Sequence, residues 1–413
     1  MELLKKYIRR FLKNHGKLRV QVRKVHVAEK KFFYRLRAGK TGLEEKTVLF
    51  ETFMGRQYGC NPRAIYEYML TDPRFDDFRF IWILRDPEKK KLFAQLSRAE
   101  TLARTDHDYY EKVASAKYVI TNSNLDYGID KRPGQIFLQT WHGTPLKRLR
   151  CDIEAEHGNA INSIAEIRSK NDLDAVRYDY FISPSAFATE KFTSAFDLKK
   201  LHKDDIIIET GYPRNDILYN FDEEYVRSVR SELGLPDGKK VMLYAPTFRD
   251  NQYDGQDYVY DLHLDIDRLQ REFADEYVIL FRVHYFVANQ FDFSRYEGFV
   301  WNVSDLDDIS PLYTIADLLI TDYSSVFFDY ANLRRPMFFY MYDRKAYADD
   351  IRGFYMSLDE LPGPIVETED DLIRAIREYD PAVYEEKYEA FHKKYNSLDD
   401  GGASKRVVDI LFG

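Results

Sequence analysis

The chain has 413 residues, of which 45% are hydrophobic and 31% charged, with a net charge of −8 and two cysteines, Cys60 and Cys151. That balance excludes a disordered or fibrous chain, and two thiols exclude a disulfide framework and a cysteine-based zinc site. Two or three domains are expected from length alone.

Charge is uneven along the chain. Residues 1–40 hold 14 Lys or Arg against Glu2 and Glu29, a local +12 that leaves −20 on the remainder. An acidic body with a basic head argues against nucleic-acid binding, which uses a basic patch on the folded domain itself. In the head, Leu4, Tyr7, Ile8, Phe11 and Leu12 recur at helical spacing, with Lys5, Lys6, Arg9, Arg10 and Lys13 between them. The spacing predicts a cationic amphipathic helix suited to an anionic membrane surface, with a solvated helix packed on its own domain as the alternative. Residues 14–40 continue basic and poorly patterned, as a second anchor or a linker. No apolar run approaches the roughly 18 to 20 residues that span a bilayer, and no signal-peptide pattern is present. The expectation is a peripheral protein on the cytoplasmic face of the cell membrane.

From Thr47 onward strands alternate with helices: TVLFETF, the helical NPRAIYEYML, FRFIWIL, KYVITNS, QIFLQTW, YDYFISPS and DDIIIETG. Apolar strands separated by helices indicate a parallel sheet. An acidic helix near Asp222–Leu233 and the turn at 234–238 mark a junction. A second series follows, KVMLYAPTF, YVILFRVHYF, GFVWNVS, ADLLITDYSS and RPMFFYMYD. The predicted class is therefore α/β and GT-B-like, with two Rossmann-like domains facing a central cleft. The expected boundaries are 1–45 for the basic membrane-associating segment, 46–220 for the first domain and 221–413 for the second.

Five polar clusters directly follow predicted strands: WHGTPLK at 141–147, GYPRND at 211–216, APTFR at 245–249, RVHY at 282–285 and TDYSS at 321–325. Open α/β sheets bind ligands outside the carboxyl ends of their strands, so these clusters are expected to share one site. In TDYSSVFFDY, Ser324 or Ser325 can cap the next helix, and a helix N-terminus with paired hydroxyls suits a pyrophosphate. Asp329 is either a helix-dipole partner or a nucleotide contact. In WHGTPLKRL, Pro145 suits a first helical position, His142 and Thr144 stay in the turn, and Gly143 admits close backbone approach. Arg282 and His284 lie on one side of a strand end and form a phosphate clamp. Arg214 and Arg249 add charge, with a surface salt bridge as the alternative for each. Three Asp-x-Asp segments, at 172–174, 265–267 and 305–307, read as solvated faces rather than metal sites.

These motifs resemble the CDP-glycerol glycerophosphotransferases of wall teichoic acid synthesis and their ribitol-phosphate relatives. The resemblance runs over about residues 47–395, through NPRAIYEYM, QTWHGTPLK, SPSAF, TGYPRND, YAPTFRD, VHYF, DISPLY and ITDYSSVFFDYANLRRP. It implies a GT-B fold whose second domain binds the donor and whose first faces the acceptor, with no metal or organic cofactor. It places donor contacts at His142, Gly143, Thr144, Pro145, Leu146, Arg214, Pro246, Thr247, Arg282, Val283, His284, Ser324, Ser325 and Asp329, and identifies His142 and His284 as the essential histidines. The implied partners are CDP-glycerol or CDP-ribitol and a lipid-linked, undecaprenyl-diphosphate-type acceptor, with oligomeric state left open. The implied reaction transfers glycerol phosphate from CDP-glycerol to that acceptor and releases CMP. His142 is assigned as general base and His284 with Arg282 as stabilisers of phosphate charge, with the two histidine roles open to exchange, and Ser324 and Ser325 cradle the pyrophosphate. The alternatives are ribitol-phosphate transfer and a metal-independent glycosyltransferase that uses a nucleotide sugar.

Overall fold

The computed structural model describes residues 16–85, 98–154, 163–247, 262–283, 291–344 and 353–413. The helix expected at residues 4–13 lies outside them. The chain divides into two compact units: Met1–His142, Leu149–Ile182 and Phe192–Ile208 form the first, and Gly143–Arg148, Ser183–Lys191 and Glu209–Gly413 the second.

In the first unit the apolar runs become β1 (Glu44–Glu51), β2 (Arg79–Ile83), β3 (Ala99–Leu102), β4 (Ala116–Thr121), β5 (Ile136–Gln139), β6 (Tyr180–Ser183) and β7 (Ile207–Glu209). They form a sheet in the order β3-β2-β1-β4-β5-β6-β7, with parallel pairing at β1/β2, β1/β4, β2/β3, β4/β5 and β5/β6. The order reverses at β1, which has β2 on one side and β4 on the other. One face carries an aromatic cluster in which Phe50 stacks on Trp82 at 5.2 Å and Tyr66 meets Phe80 edge-on at 5.3 Å.

The second unit repeats the plan. β8 (Lys240–Tyr244), β9 (Tyr277–Phe281), β10 (Val300–Asn302), β11 (Leu318–Thr321), β12 (Met337–Tyr340) and β13 (Ile365–Val366) lie in the order β10-β9-β8-β11-β12-β13, so this sheet reverses at β8. Its strands are covered on both faces: Val241, Leu243 and Phe339 enter one core, and Met242, Tyr244 and Phe338 enter the other. Two buried faces explain the unbroken apolar runs. The strands β3 and β13 carry no such run: β3 holds partly buried Glu100 and Thr101 between Ala99 and Leu102, and β13 is only the two residues Ile365–Val366.

Residues 14–40 depart from expectation. Gly16–Ala38 is a single helix of 23 residues, and its C-terminal half belongs to the core of the first unit. Tyr34 and Ala38 are 1% and 7% exposed, and the Tyr34 ring meets Tyr110 edge-on at 5.8 Å. Lys30 reaches Asp126 at 2.6 Å, and Lys31 and Arg35 reach Asp130 at 2.6 and 2.7 Å. Much of the inward face is thus made of ion pairs, which an apolar-periodicity search does not register. Among the described residues no helix is long and apolar enough to cross a membrane.

Deleting the whole basic head would therefore cut into the core. Tyr34→Ala should lower the unfolding free energy by about 3 kcal/mol or more, the usual cost of truncating a buried aromatic. Urea denaturation checks this, and a loss below about 1 kcal/mol would show that the helix is dispensable to the unit.

Candidate functional site

The second sheet places two of the expected clusters side by side. β8 runs into Ala245–Thr247 and β11 into Asp322–Ser325, and these two strands flank the reversal of strand order. Asp322, 2% exposed, ties them together: its Oδ1 accepts the backbone N–H of Thr247 at 2.7 Å and of Tyr323 at 2.6 Å. The Thr321 hydroxyl adds a bond to the Ala245 carbonyl at 2.7 Å. Gly143 packs against the same turn, since a Cβ there would stand 2.8 Å from Ser325 Oγ. Ser325 occupies the N-cap of the short helix Val326–Tyr330 but makes no side-chain capping bond, so capping does not account for its hydroxyl.

The segment after Gly143 differs from the helix expected at Pro145. Residues 146–148 run extended against 353–355: Tyr355 N–H donates to Leu146 O at 2.8 Å, Arg148 N–H donates to Gly353 O at 3.0 Å, and Lys147 bridges Phe354. The fixed φ of proline suits an extended segment as well as a first helical turn. Leu146 is 2% exposed and packs in the core, and Thr144 is also buried.

Arg214 and Asp329 are an ion pair rather than two separate groups. Arg214 Nη2 lies 2.8 Å and Nε 3.1 Å from the two Asp329 oxygens, and both side chains are under 8% exposed. The surface salt bridge considered for Arg214 is in fact buried. Removing one member of such a pair strands a charge and costs about 3–5 kcal/mol, so rate loss in either variant needs a stability control. Asn215 Nδ2 extends the network, donating to Asp329 at 3.1 Å and to Asp399 at 2.7 Å. Asp399 also accepts from Tyr212 N–H at 2.8 Å and Asn332 Nδ2 at 3.1 Å. Burial, with a smaller push from Asp329, raises the Asp399 carboxyl to about 7 against the lowering effect of these donors. The turn is fixed by Gly211 at φ 79, where a Cβ would fall 2.4 Å from Leu398 O.

Arg282 donates Nη1 to Val303 O at 2.9 Å and Nη2 to Leu306 O at 3.0 Å, and burial lowers its pKa. It braces the loop after β10. Val283 N–H donates to Ser304 Oγ at 3.1 Å. His284 and Arg249 lie outside the described residues. Pro246 follows β8 and Ser324 follows β11, as expected from the strand pattern. Among the Asp-x-Asp segments, Asp174 is not solvated: it is 0% exposed and paired with Arg177, with Arg150 at 3.8 Å, because two arginines flank it.

His142 closes the first segment of the first unit and is exposed. Its Nδ1 lies 2.8 Å from the backbone carbonyl of Asn122 at the end of β4. A carbonyl only accepts, so Nδ1 carries the proton and the neutral ring presents Nε2 as an acceptor. Trp141 stacks on the imidazole at 4.2 Å and Phe53 meets it edge-on at 5.5 Å. Trp141 and Phe53 both hold positive φ, 51 and 45, a strained backbone that clusters at functional sites.

Sequence reasoning missed Asn122. This residue is wholly buried, its Oδ1 accepts Phe53 N–H at 2.8 Å, and its Nδ2 has no hydrogen-bond partner among the described residues. An unmet buried donor costs about 1–3 kcal/mol. The only advance signal was its place immediately after an apolar strand, in ITNSN.

Comparison with known proteins identifies the family. The profile of the family described as CDP-Glycerol:Poly(glycerophosphate) glycerophosphotransferase matches residues 32–413. The chain is 39% identical over 92% of its length to a teichoic acid poly(glycerol phosphate) polymerase of Staphylococcus epidermidis, and 41% identical over 91% to one of Bacillus subtilis (strain 168). It spans about half the length of these two curated relatives, 52% and 50%. Against a Bacillus spizizenii relative of the same description it is 40% identical, covering 89% of this chain and 92% of the relative. A solved structure of the wall teichoic acid polymerase TagF, soaked with CDPG, matches with a TM-score of 0.85 at 37% identity over 97% of each chain. The expected α/β, GT-B-like class of two parallel-sheet domains is met by this match.

The buried Asp399 predicts a pH signature. Its folded pKa is raised, so between the ordinary carboxylate range and about 7 the folded state holds a proton that the unfolded state releases, and its contribution to stability falls as pH rises through that window. The stability difference between the protein and its Asp399→Asn variant should shift in the variant's favour from pH 4 to 7, by at most about 1.4 kcal/mol per pH unit. Urea unfolding at several pH values measures this, and a pH-independent difference would show that Asp399 is ionised throughout.

Proposed function

Because the chain belongs to the CDP-glycerol:poly(glycerophosphate) glycerophosphotransferase family, we propose that it transfers glycerol phosphate from CDP-glycerol to a hydroxyl of a lipid-linked teichoic-acid-type acceptor. The observation that carries this reading is the bond from His142 Nδ1 to the Asn122 carbonyl, which leaves Nε2 in the form that takes a proton. The acceptor oxygen attacks the phosphorus bearing glycerol, its proton passes to His142 Nε2, and the bond from that phosphorus to the bridging oxygen breaks. CMP leaves with the electron pair. Such a reaction depends on positioning and charge neutralisation.

In this reading the second unit holds the donor. The Ser324/Ser325 turn and the Gly143–Leu146 segment meet the pyrophosphate, and Pro246, Thr247, Arg282, Val283 and His284 complete the donor contacts. Arg214 and Asp329 shape that region as one ion pair. His284 is a phosphate-charge stabiliser by family resemblance. The first unit, with His142, faces the acceptor.

The basic head supports attachment to an anionic membrane at the cytoplasmic face. The +12 charge of residues 1–40 is joined by exposed Leu18, Val22, Val25, Phe32, Phe33 and Leu36 on the helix Gly16–Ala38, a combination suited to an interfacial helix. The full chain should co-sediment with anionic vesicles and be released as salt rises. Equal binding to neutral vesicles would remove the electrostatic part of this reading.

Incubation with CDP-glycerol and an acceptor should release CMP and lengthen the acceptor by glycerol phosphate, with slower turnover of CDP-ribitol and none of nucleotide sugars. His142→Ala and His284→Ala should each lower turnover by about 100-fold or more while melting near the parent temperature. Near-normal rates in both folded variants would exclude the two histidines from the mechanism, and preference for CDP-ribitol would move the donor assignment.

A further inference from the structure

The first sheet has its own reversal of strand order, at β1 and β4, and the carboxyl ends of such strands are where open α/β sheets bind ligands. The turn after β1 holds Phe53, Met54 and Gly55 at φ 45, 59 and 79. Phe and Met tolerate that region poorly. The residues after β4 hold it there: Asn122 Oδ1 accepts Phe53 N–H at 2.8 Å and Ser123 Oγ accepts Met54 N–H at 3.0 Å. The same Asn122 orients His142 through its backbone carbonyl.

The orientation of the Asn122 carboxamide follows from these bonds. A backbone N–H must face an oxygen, so the amide cannot be reversed and Nδ2 is committed as a pair of donors. This pair is wholly buried and, among the described residues, without a partner, although buried side-chain donors in folded proteins are generally met. We propose that Asn122 contacts substrate, its Nδ2 donating to an oxygen of the polyol phosphate on which His142 acts. The inference rests on the transferase reading above. An amide nitrogen selects an oxygen acceptor, and two sources supply one: the hydroxyl end of the acceptor and the phosphate of the donor. Aspartate at this position would still hold Phe53 but would offer no donor and would repel phosphate.

The test compares the full-length protein with Asn122→Asp, Asn122→Ala and His142→Gln. Melting temperatures are recorded with and without CDP-glycerol or glycerol 3-phosphate, and CMP release is followed with CDP-glycerol and a soluble acceptor varied independently. Both Asn122 variants should fold and lose roughly 10- to 100-fold in kcat/KM. The loss should fall on the acceptor if its hydroxyl is the partner and on CDP-glycerol if a phosphate oxygen is, with the matching ligand giving a smaller melting shift. Normal rates in both variants overturn the proposal. So does a normal Asn122→Asp beside an impaired Asn122→Ala, which would reduce the side chain to a brace for the Phe53 turn. If His142→Gln keeps its rate while the Asn122 variants lose theirs, the base assignment fails and the contact stands. The reverse pattern removes Asn122 alone. Should the parent protein release no CMP, equal ligand-induced melting shifts in it and in Asn122→Ala overturn the contact, and a smaller shift in the variant supports it.

Discussion

Strand order is the constraint on which the rest of each unit depends. Both sheets are built on parallel pairings, and the order turns back at the first strand of each series, β1 and β8. Parallel pairing forces every connection to cross from the carboxyl end of one strand to the amino end of another. At the reversal the two connections leave in opposite directions, so neither covers the strand ends between them. The residues of interest stand there: Ala245–Thr247 and Asp322–Ser325 in one sheet, Phe53–Gly55 and Asn122 in the other. Buried sheets hold these ends rigidly, and side chains mounted on rigid elements keep the geometry that chemistry needs.

Holding such ends in place takes polar groups whose bonds run to the fold itself. Asp322 commits one oxygen to two backbone N–H groups. Asp399 commits both oxygens to the backbone of Tyr212 and the amides of Asn215 and Asn332. Arg282, which the sequence presents as a phosphate clamp, has two guanidinium nitrogens on loop carbonyls. Arg214 is bound by Asp329 from two directions. These groups are hydrogen-bonded because a buried charge without partners is not sustained, and their variants perturb folding together with any effect on rate.

Much of this was legible in the sequence, and the exceptions have physical causes. Eleven of the strands are read from apolar runs, because a strand buried on both faces needs no polar alternation. β3 lacks such a run because Glu100 and Thr101 sit at its centre, and β13 is only two residues long. The helix Gly16–Ala38 reads as an unpatterned basic stretch because Lys30, Lys31 and Arg35 point at carboxylates that lie about 95 to 100 residues later. The polar clusters were found where chemistry-bearing residue types gather: histidine, arginine, paired serines. Asn122 lacked such a flag. Its importance comes from two bonds of different kinds converging on one residue, from Phe53 N–H to its side chain and from His142 to its backbone carbonyl, which no local sequence pattern displays.

The partner chosen for His142 has a chemical logic. A carboxylate on Nδ1 would fix the same tautomer, but it would also stabilise the imidazolium and place a negative charge close to a substrate that carries two phosphates. A backbone carbonyl orients the ring and commits Nδ1 as the donor without adding a net charge. Trp141 stacks on the ring and Phe53 meets it edge-on. The backbone strain at these two residues fits that packing, because a stacked and an edge-on aromatic set around one imidazole demand main-chain angles that neither residue adopts freely. In the proposed reaction, His142 takes the hydroxyl proton through Nε2 while Nδ1 stays bonded to the Asn122 carbonyl.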